Sequence, residues 1–408
     1  MRTVIRNANV FDTPRMEFAG ESTIVIDDGV ISSIGGKPPA NADETIDAQG
    51  ACALPGFIDG HYHFRLVTMD FHALLHWSEV EYGIVMERLA RETLRRGFTT
   101  VRDLGGEVNG LIHAFETGIA KGPRVFRAGR MLTQTGGHGD MDGSPRAAPQ
   151  CACEMRHDAF SIVADGVDAV TKAARHNLRD GSNFIKMHVS GGVASPRDPF
   201  DSVQYTKDEI AAVCQEARNR HTYVAAHAYS PESIRLAVEN GVHTIEHGNL
   251  IDKDAAAAVA KAGAVMVPTL VTYQSMDLLG AELGLPERNR DKNRIVLKAG
   301  LGSLEIAAGA GVTLGFGTDL IGETQNRQNL EFTIRAEAQS AKQILTSMYV
   351  VNAKLVGAEG KAGVLKEGAY GDVVLCRKNP LGDIRVLTDW EKNFSHVIKA
   401  GEIVHADA

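Results

Sequence analysis

Residues 54–63, Leu-Pro-Gly-Phe-Ile-Asp-Gly-His-Tyr-His, end an apolar run on two histidines one residue apart. On a strand, side chains at i and i+2 share a face, so His61 and His63 point the same way. Two imidazoles at one strand end can ligate a metal ion; two hydrogen-bonded core histidines would show the same spacing. Further along, Lys186 interrupts the apolar run 183–189, His227 closes 222–227, His247 closes 244–247 and Asp319 closes 312–319. Singly, each has an ordinary role: a lysine that snorkels, core histidines, an aspartate that caps the next helix. Together, at the ends of five strands, they make a constellation suited to a metal-assisted reaction.

The elements that must position these residues follow a regular alternation. Short apolar runs at 57–63, 99–103, 124–129, 183–189, 222–227, 244–247, 264–268 and 312–319 read as strands. Helical spacing of apolar residues falls at 79–96, 166–179, 207–220, 231–239, 254–262 and 288–310, with a last helix at 341–351. This order predicts an α/β fold, a (β/α)8 TIM-type barrel over residues 56–357, whose active site lies at the C-terminal ends of the strands. A doubly wound open sheet is the alternative, but no G-x-G-x-x-G follows the first strand. Residues 3–11, 22–26, 30–34 and 44–48 read as strands, with a hairpin signal at Asp27-Asp28-Gly29. Strands recur at 371–375, 396–400 and 401–404. The two chain ends, 1–55 and 358–408, are therefore expected to build one small β-sandwich domain. The stretch 131–165 is long for a strand-to-helix connection, and long loops at a barrel mouth are usually functional. It presents His138 within Thr-Gly-Gly-His-Gly-Asp, residues 135–140.

Composition narrows the partners. A net charge of −8 without a basic block argues against a nucleic-acid surface. Apolar stretches are too short or interrupted to span a bilayer, and residues 1–7 read as a strand and not as a signal peptide. A cytoplasmic protein is expected. Five cysteines, an odd number, fit reduced thiols, and Cys151 and Cys153 lack a second pair nearby. The apolar segment 71–77 suits an interface, in keeping with a homo-oligomer, or the pocket.

The order H-x-H, Lys, His, His, Asp over eight strands, with the phrases Pro-Gly-Phe-Ile-Asp-Gly-His-Tyr-His and Phe-Gly-Thr-Asp, resembles the amidohydrolase superfamily in its binuclear-metal subtype. The resemblance implies that Lys186 is carboxylated by CO2 and bridges two divalent ions, zinc being the first choice for a His-rich shell. It places His61, His63, Lys186 and Asp319 on one ion and Lys186, His227 and His247 on the other. It further implies attack of a metal-bridging hydroxide on an amide or ester carbonyl, with Asp319 moving the proton to the leaving nitrogen. Tyr229 and His138 are candidate donors to the oxyanion.

The stretches 135–140, 186–188 and 227–229 are similar to an imidazolonepropionase-like branch that contains prolidase-type dipeptidases, carboxypeptidases and N-acyl amino acid amidases. A dipeptidase, carboxypeptidase or N-acyl amino acid amidase is the expected activity. Arg65 and Arg197 are the candidate cations for a substrate carboxylate. Residues 269–275 and 321–329 are expected to line the pocket. Cyclic-amide hydrolysis of the imidazolonepropionase or hydantoinase type and lactonase activity are alternatives on the same centre. Deamination is disfavoured because Lys186 is present and no glutamate follows His227 closely. A catalytically silent scaffold would be expected to lack the ligands.

Overall fold

The computed structural model describes residues 1–70, 77–140, 159–195 and 197–407. Cys151, Cys153 and, apart from Trp77, the apolar segment 71–77 lie outside the described residues. Three parallel strands, Phe57–Tyr62, Phe98–Asp103 and Arg124–Arg127, pair in that order. Seven more form a second parallel sheet in the order Ser161–Val163, Met131–Thr133, Ile185–His188, Val224–Ala228, Thr244–His247, Val265–Val267 and Thr313–Leu314. Most of these strands are buried at every residue. This explains why they read as apolar runs and not as alternating ones: helices cover one face and packed side chains fill the other. Backbone bonds also run between the sheets. Asn183 N donates to Arg127 O at 2.8 Å, Gly60 N to Phe316 O at 2.7 Å and Asp319 N to His61 O at 2.8 Å.

The last predicted strand behaves differently from expectation. Only Thr313–Leu314 sits in the ladder. The chain beyond it leaves regular geometry because it is pressed against the first strand: a Cβ on Gly317 would lie 2.6 Å from His61 Cβ. Asp319 then adopts a left-handed φ of 51°, which a bare strand would not supply.

The two longest helices outside the predicted set are Asn109–Glu116 and Leu270–Leu279. The second is buried on most sides, at Leu270, Val271, Thr272, Tyr273, Ser275 and Met276, so it carries no amphipathic period. Its N-terminus lacks a side-chain cap from Thr269; instead Glu331 Oε2 accepts from Val271 N at 2.7 Å. The predicted helix 341–351 runs on through a π-turn, Ser347–Val351, into Asn352–Leu355. That extension delivers Asn352 to the junction of the first and last parallel strands. Its amide donates to Ile58 O at 2.8 Å and Phe316 O at 2.7 Å and accepts from Phe316 N at 3.1 Å.

The chain ends build one hydrogen-bonded eight-stranded sheet in the order Glu402–Ala406, Phe394–Lys399, Val373–Cys376, Cys52–Pro55, Arg2–Asp12, Glu17–Asp27 and Val30–Ile34, with Glu44–Asp47 pairing on Arg2–Asp12. Period-two alternation sorts its apolar residues. Cys52, Leu54, Val374 and Cys376 pack with Phe57, Phe98, Phe316 and Tyr349 of the parallel-strand body. Ala53, Val373 and Leu375 pack with Ile24, Ile26 and Ile46 of the same sheet.

Asn352→Ala removes three hydrogen bonds to buried backbone groups at once. It is expected to lower unfolding free energy by about 2–4 kcal/mol, seen as a lower urea midpoint. A midpoint equal to wild type would mean that Asn352 does not hold the junction.

Candidate metal centre

The C-terminal ends of the parallel strands converge on one buried-walled cavity. His61, His63, Lys186, His227, His247 and Asp319 all line it, as do His138 and Tyr229. Asp319 is the hub. Its Oδ1 lies 3.3 Å from both His61 Nε2 and His63 Nε2, and its Oδ2 lies 3.9 Å from His247 Nδ1. Ligand atoms of His61, His247 and Asp319 fall within 4.8 Å of one another.

Below the hub, Asp59 holds the backbone that presents these groups. Its Oδ1 accepts from His61 N at 3.0 Å and Thr318 N at 3.1 Å. Its Oδ2 accepts from Thr318 Oγ1 at 2.6 Å and Gln328 Nε2 at 2.8 Å. His247 turns its ring into the cavity through a left-handed φ of 74°, breaking the alternation that would set it opposite Glu246.

The donor chemistry fits a cation. His61 Nδ1 lies 2.9 Å from Glu246 Oε2 and His63 Nδ1 lies 3.4 Å from Gly105 O. A neutral ring that donates through Nδ1 presents a lone pair on Nε2. Two such lone pairs 3.3 Å from one carboxylate oxygen repel unless positive charge, as a bound ion or as a ring proton, lies among them. His227 Nε2 lies 3.0 Å from Gly191 O, which leaves its Nδ1 for a ligand. Burial holds His227, His188 and His247 well below the ordinary histidine value, so they stay in the neutral form that binds metals. Burial pushes the Asp319 carboxyl up, but His61, His63 and His247 outweigh it and keep the group well below the usual carboxylate range. Lys186 is 2% exposed, and burial lowers its amine to about 8.

His138 stacks on His227 with ring centroids 4.3 Å apart, and its Nδ1 lies 2.7 Å from Ser195 Oγ. A Cβ on Gly192 would lie 2.1 Å from the His138 ring, so only glycine admits it there. Tyr229 packs edge-on to His227 at 4.6 Å, its hydroxyl 2.9 Å from that of Tyr273. The two arginines expected to meet a carboxylate are not in the cavity wall. Arg65 is held by Glu79 through bonds of 2.6 and 2.8 Å and lies over the Tyr82 ring at 4.0 Å. Its charge is neutralised there. Arg197 is exposed and also stands outside the lining. Of the segments expected to line the pocket, Tyr273 and Ile321 do so.

Sequence reasoning gave no role to Glu246, Arg102 or Ser195, and reached Tyr273 only as part of the lining segment 269–275. A signal for the first two was present: each is a charged residue that follows apolar or hydroxylic strand residues, Thr244 and Ile245 before Glu246 and Phe98, Thr99, Thr100 and Val101 before Arg102. Apart from His188, the rest of the wall is apolar, with Leu66, Met131, Phe160, Val193, Met276 and Ile321 as its large side chains.

Residues 52–404 match the amidohydrolase family, and the chain belongs to it. It is accordingly a hydrolase acting on C–N bonds. Ochratoxinase of Aspergillus niger is 27% identical over 398 residues, covering 94% of this chain and 82% of that protein. A crystal structure of a prolidase complexed with N-methylphosphonate-L-proline superposes with a TM-score of 0.95 at 40% identity over the whole of both chains. A crystal structure of a Xaa-Pro dipeptidase with bound methionine superposes with a TM-score of 0.88 at 29% identity, covering 99% of each chain. These relatives place the chain in the prolidase-like branch of the superfamily.

The Lys186 environment gives a pH dependence. Its folded pKa of about 8 lies below the ordinary 10.5, so the unfolded chain binds the proton more tightly. Between these values the unfolded state carries more protons, and stability rises with pH. Metal-free protein is expected to raise its urea midpoint between pH 8 and pH 10 by more than the Lys186→Met variant does. Parallel curves would contradict the assigned environment.

Proposed function

We propose that the protein hydrolyses an amide bond joining an acyl group to an amino acid, in the manner of a dipeptidase, carboxypeptidase or N-acyl amino acid amidase. The observation that carries this is the pair of imidazole Nε2 atoms 3.3 Å from one oxygen of Asp319, at the base of a cavity with an apolar wall. His61, His63, Lys186 and Asp319 would hold one divalent ion, and Lys186, His227 and His247 the other, with Lys186 as a carbamate. Zinc suits this shell. The parallel strands are taken as a closed (β/α)8 barrel over 56–357, supported by the bonds from Gly60 and Asp319 to the opposite strand, and the chain ends 1–55 and 358–408 as a separate domain.

When bound, two divalent ions activate water at neutral pH and polarise the carbonyl. Asp319 sits where it can take the proton of the attacking water and return it to the leaving nitrogen. Tyr229 serves as an oxyanion donor. Burial raises its phenol above the ordinary tyrosine value, so it keeps its proton, and Tyr273 can donate to the Tyr229 oxygen while that hydrogen points to substrate. His138 serves likewise through Nε2–H when Ser195 Oγ–H donates to its Nδ1. That bond, at 2.7 Å, competes with the bond from the same hydroxyl to Gly192 O at 3.1 Å.

The apolar wall of Leu66, Met131, Phe160, Val193, Met276 and Ile321 favours a substrate with a large hydrophobic group beside the scissile bond. The prolidase with its proline phosphonate, the dipeptidase with methionine and ochratoxinase support an amino acid as one product.

A panel of N-acyl amino acids and dipeptides, set against hydantoins and lactones, is expected to show turnover of the open-chain amides. Hydrophobic substituents should lead polar ones by about tenfold or more in kcat/KM. No turnover of any carboxylate-bearing amide would remove the proposed substrate class. Asp319→Asn is expected to lower kcat by about 100-fold to 10,000-fold and Tyr229→Phe by about 100-fold, both measured on the best substrate. Near-wild-type kcat in either would remove that residue from its assigned role.

A further inference from the structure

We propose that Glu246, held in place by Arg102, is a positioning residue that fixes the proton of His61 on Nδ1 and so keeps Nε2 free for a metal ion. The three side chains come from different strands and are buried: Arg102 and Glu246 are 0% exposed and His61 is 1% exposed. Glu246 divides its two oxygens. Oε2 lies 2.9 Å from His61 Nδ1, while Oε1 receives Arg102 Nη2 in a short contact and Thr244 Oγ1 at 2.6 Å. Arg102 Nη2 also reaches Thr244 Oγ1 at 3.1 Å.

An ionised carboxylate only accepts hydrogen bonds, so the 2.9 Å contact requires the imidazole proton on Nδ1. A carboxylate behind a ligating histidine sets its tautomer and orientation and raises its basicity. Arg102 keeps Glu246 ionised inside the barrel, where an unpaired carboxylate would be strongly disfavoured. It does so at a structural cost: Arg102 Nε and Nη1 have no hydrogen-bond partner among the described residues. A buried guanidinium left partly unsatisfied is poor design for stability alone and points to a demand from the site.

The proposal rests on His61 being a metal ligand, and the experiment separates the two. Full-length protein is stripped of metal and titrated with zinc against a chromophoric chelator. Wild type is compared with R102M/E246L, which removes both charges and leaves neither unpaired, and with R102M/E246Q, whose amide oxygen can still accept from Nδ1–H. The expected result is a 10–100-fold loss of zinc affinity in R102M/E246L with partial recovery in R102M/E246Q. The nitrogen-15 histidine spectrum of wild type should place the His61 proton on Nδ1. Zinc affinity in folded R102M/E246L within twofold of wild type, or a wild-type His61 proton on Nε2, would overturn the role of Glu246. If wild type itself binds no zinc, it is the metal-centre assignment that fails.

Discussion

The structure depends on burying ionisable groups together without leaving any charge alone. A lone carboxylate in an apolar interior is strongly disfavoured and would take up a proton. Asp319 avoids this by standing among His61, His63 and His247, and those rings are in turn held by Glu246, Gly105 and Thr269. Glu246 needs Arg102 for the same reason. The result is a chain of dependencies running from the cavity to the centre of the parallel-strand body. No member can be neutralised without altering its neighbours, and positive charge placed among the imidazole lone pairs is stabilising, which is the property a metal site requires.

The scaffold serves that arrangement through a few close approaches. Gly317 lets the last strand reach the first, Asp59 binds both backbones, and Asn352 sews them from a helix carried there by a π-turn. The helix Leu270–Leu279, capped from a distance by Glu331, brings Tyr273 and Met276 to the wall. Ser195 steadies His138, and its own loop is anchored by Asn289, which donates to Val193 O at 2.6 Å, and by Lys292, which donates to Asp198 O at 2.7 Å.

What could be read from sequence was what depends on local pattern. His61, His63, His227 and His247 each sit at or next to the end of an apolar run and Lys186 stands inside one, and strand geometry aims such residues at one place, so their meeting was foreseeable. Asp319 was foreseen for its position but not for its left-handed backbone, since close packing against His61 imposes that conformation. Arg65 looked available because it follows His63, yet Glu79, fourteen residues on, takes its charge. The helix at 270–279 escaped notice because burial on most sides erases its period. Arg102 and Glu246 lie 144 residues apart, and no local pattern joins them.

The central claim is that six side chains hold two metal ions bridged through Lys186. The most direct measurement is the metal content of the purified full-length protein by elemental analysis, after growth with zinc and without chelators, beside that of Lys186→Ala. Two equivalents per chain in wild type, and one or none in folded Lys186→Ala, is the predicted result. Wild-type protein with no transition metal, or a variant that keeps both equivalents, would contradict it.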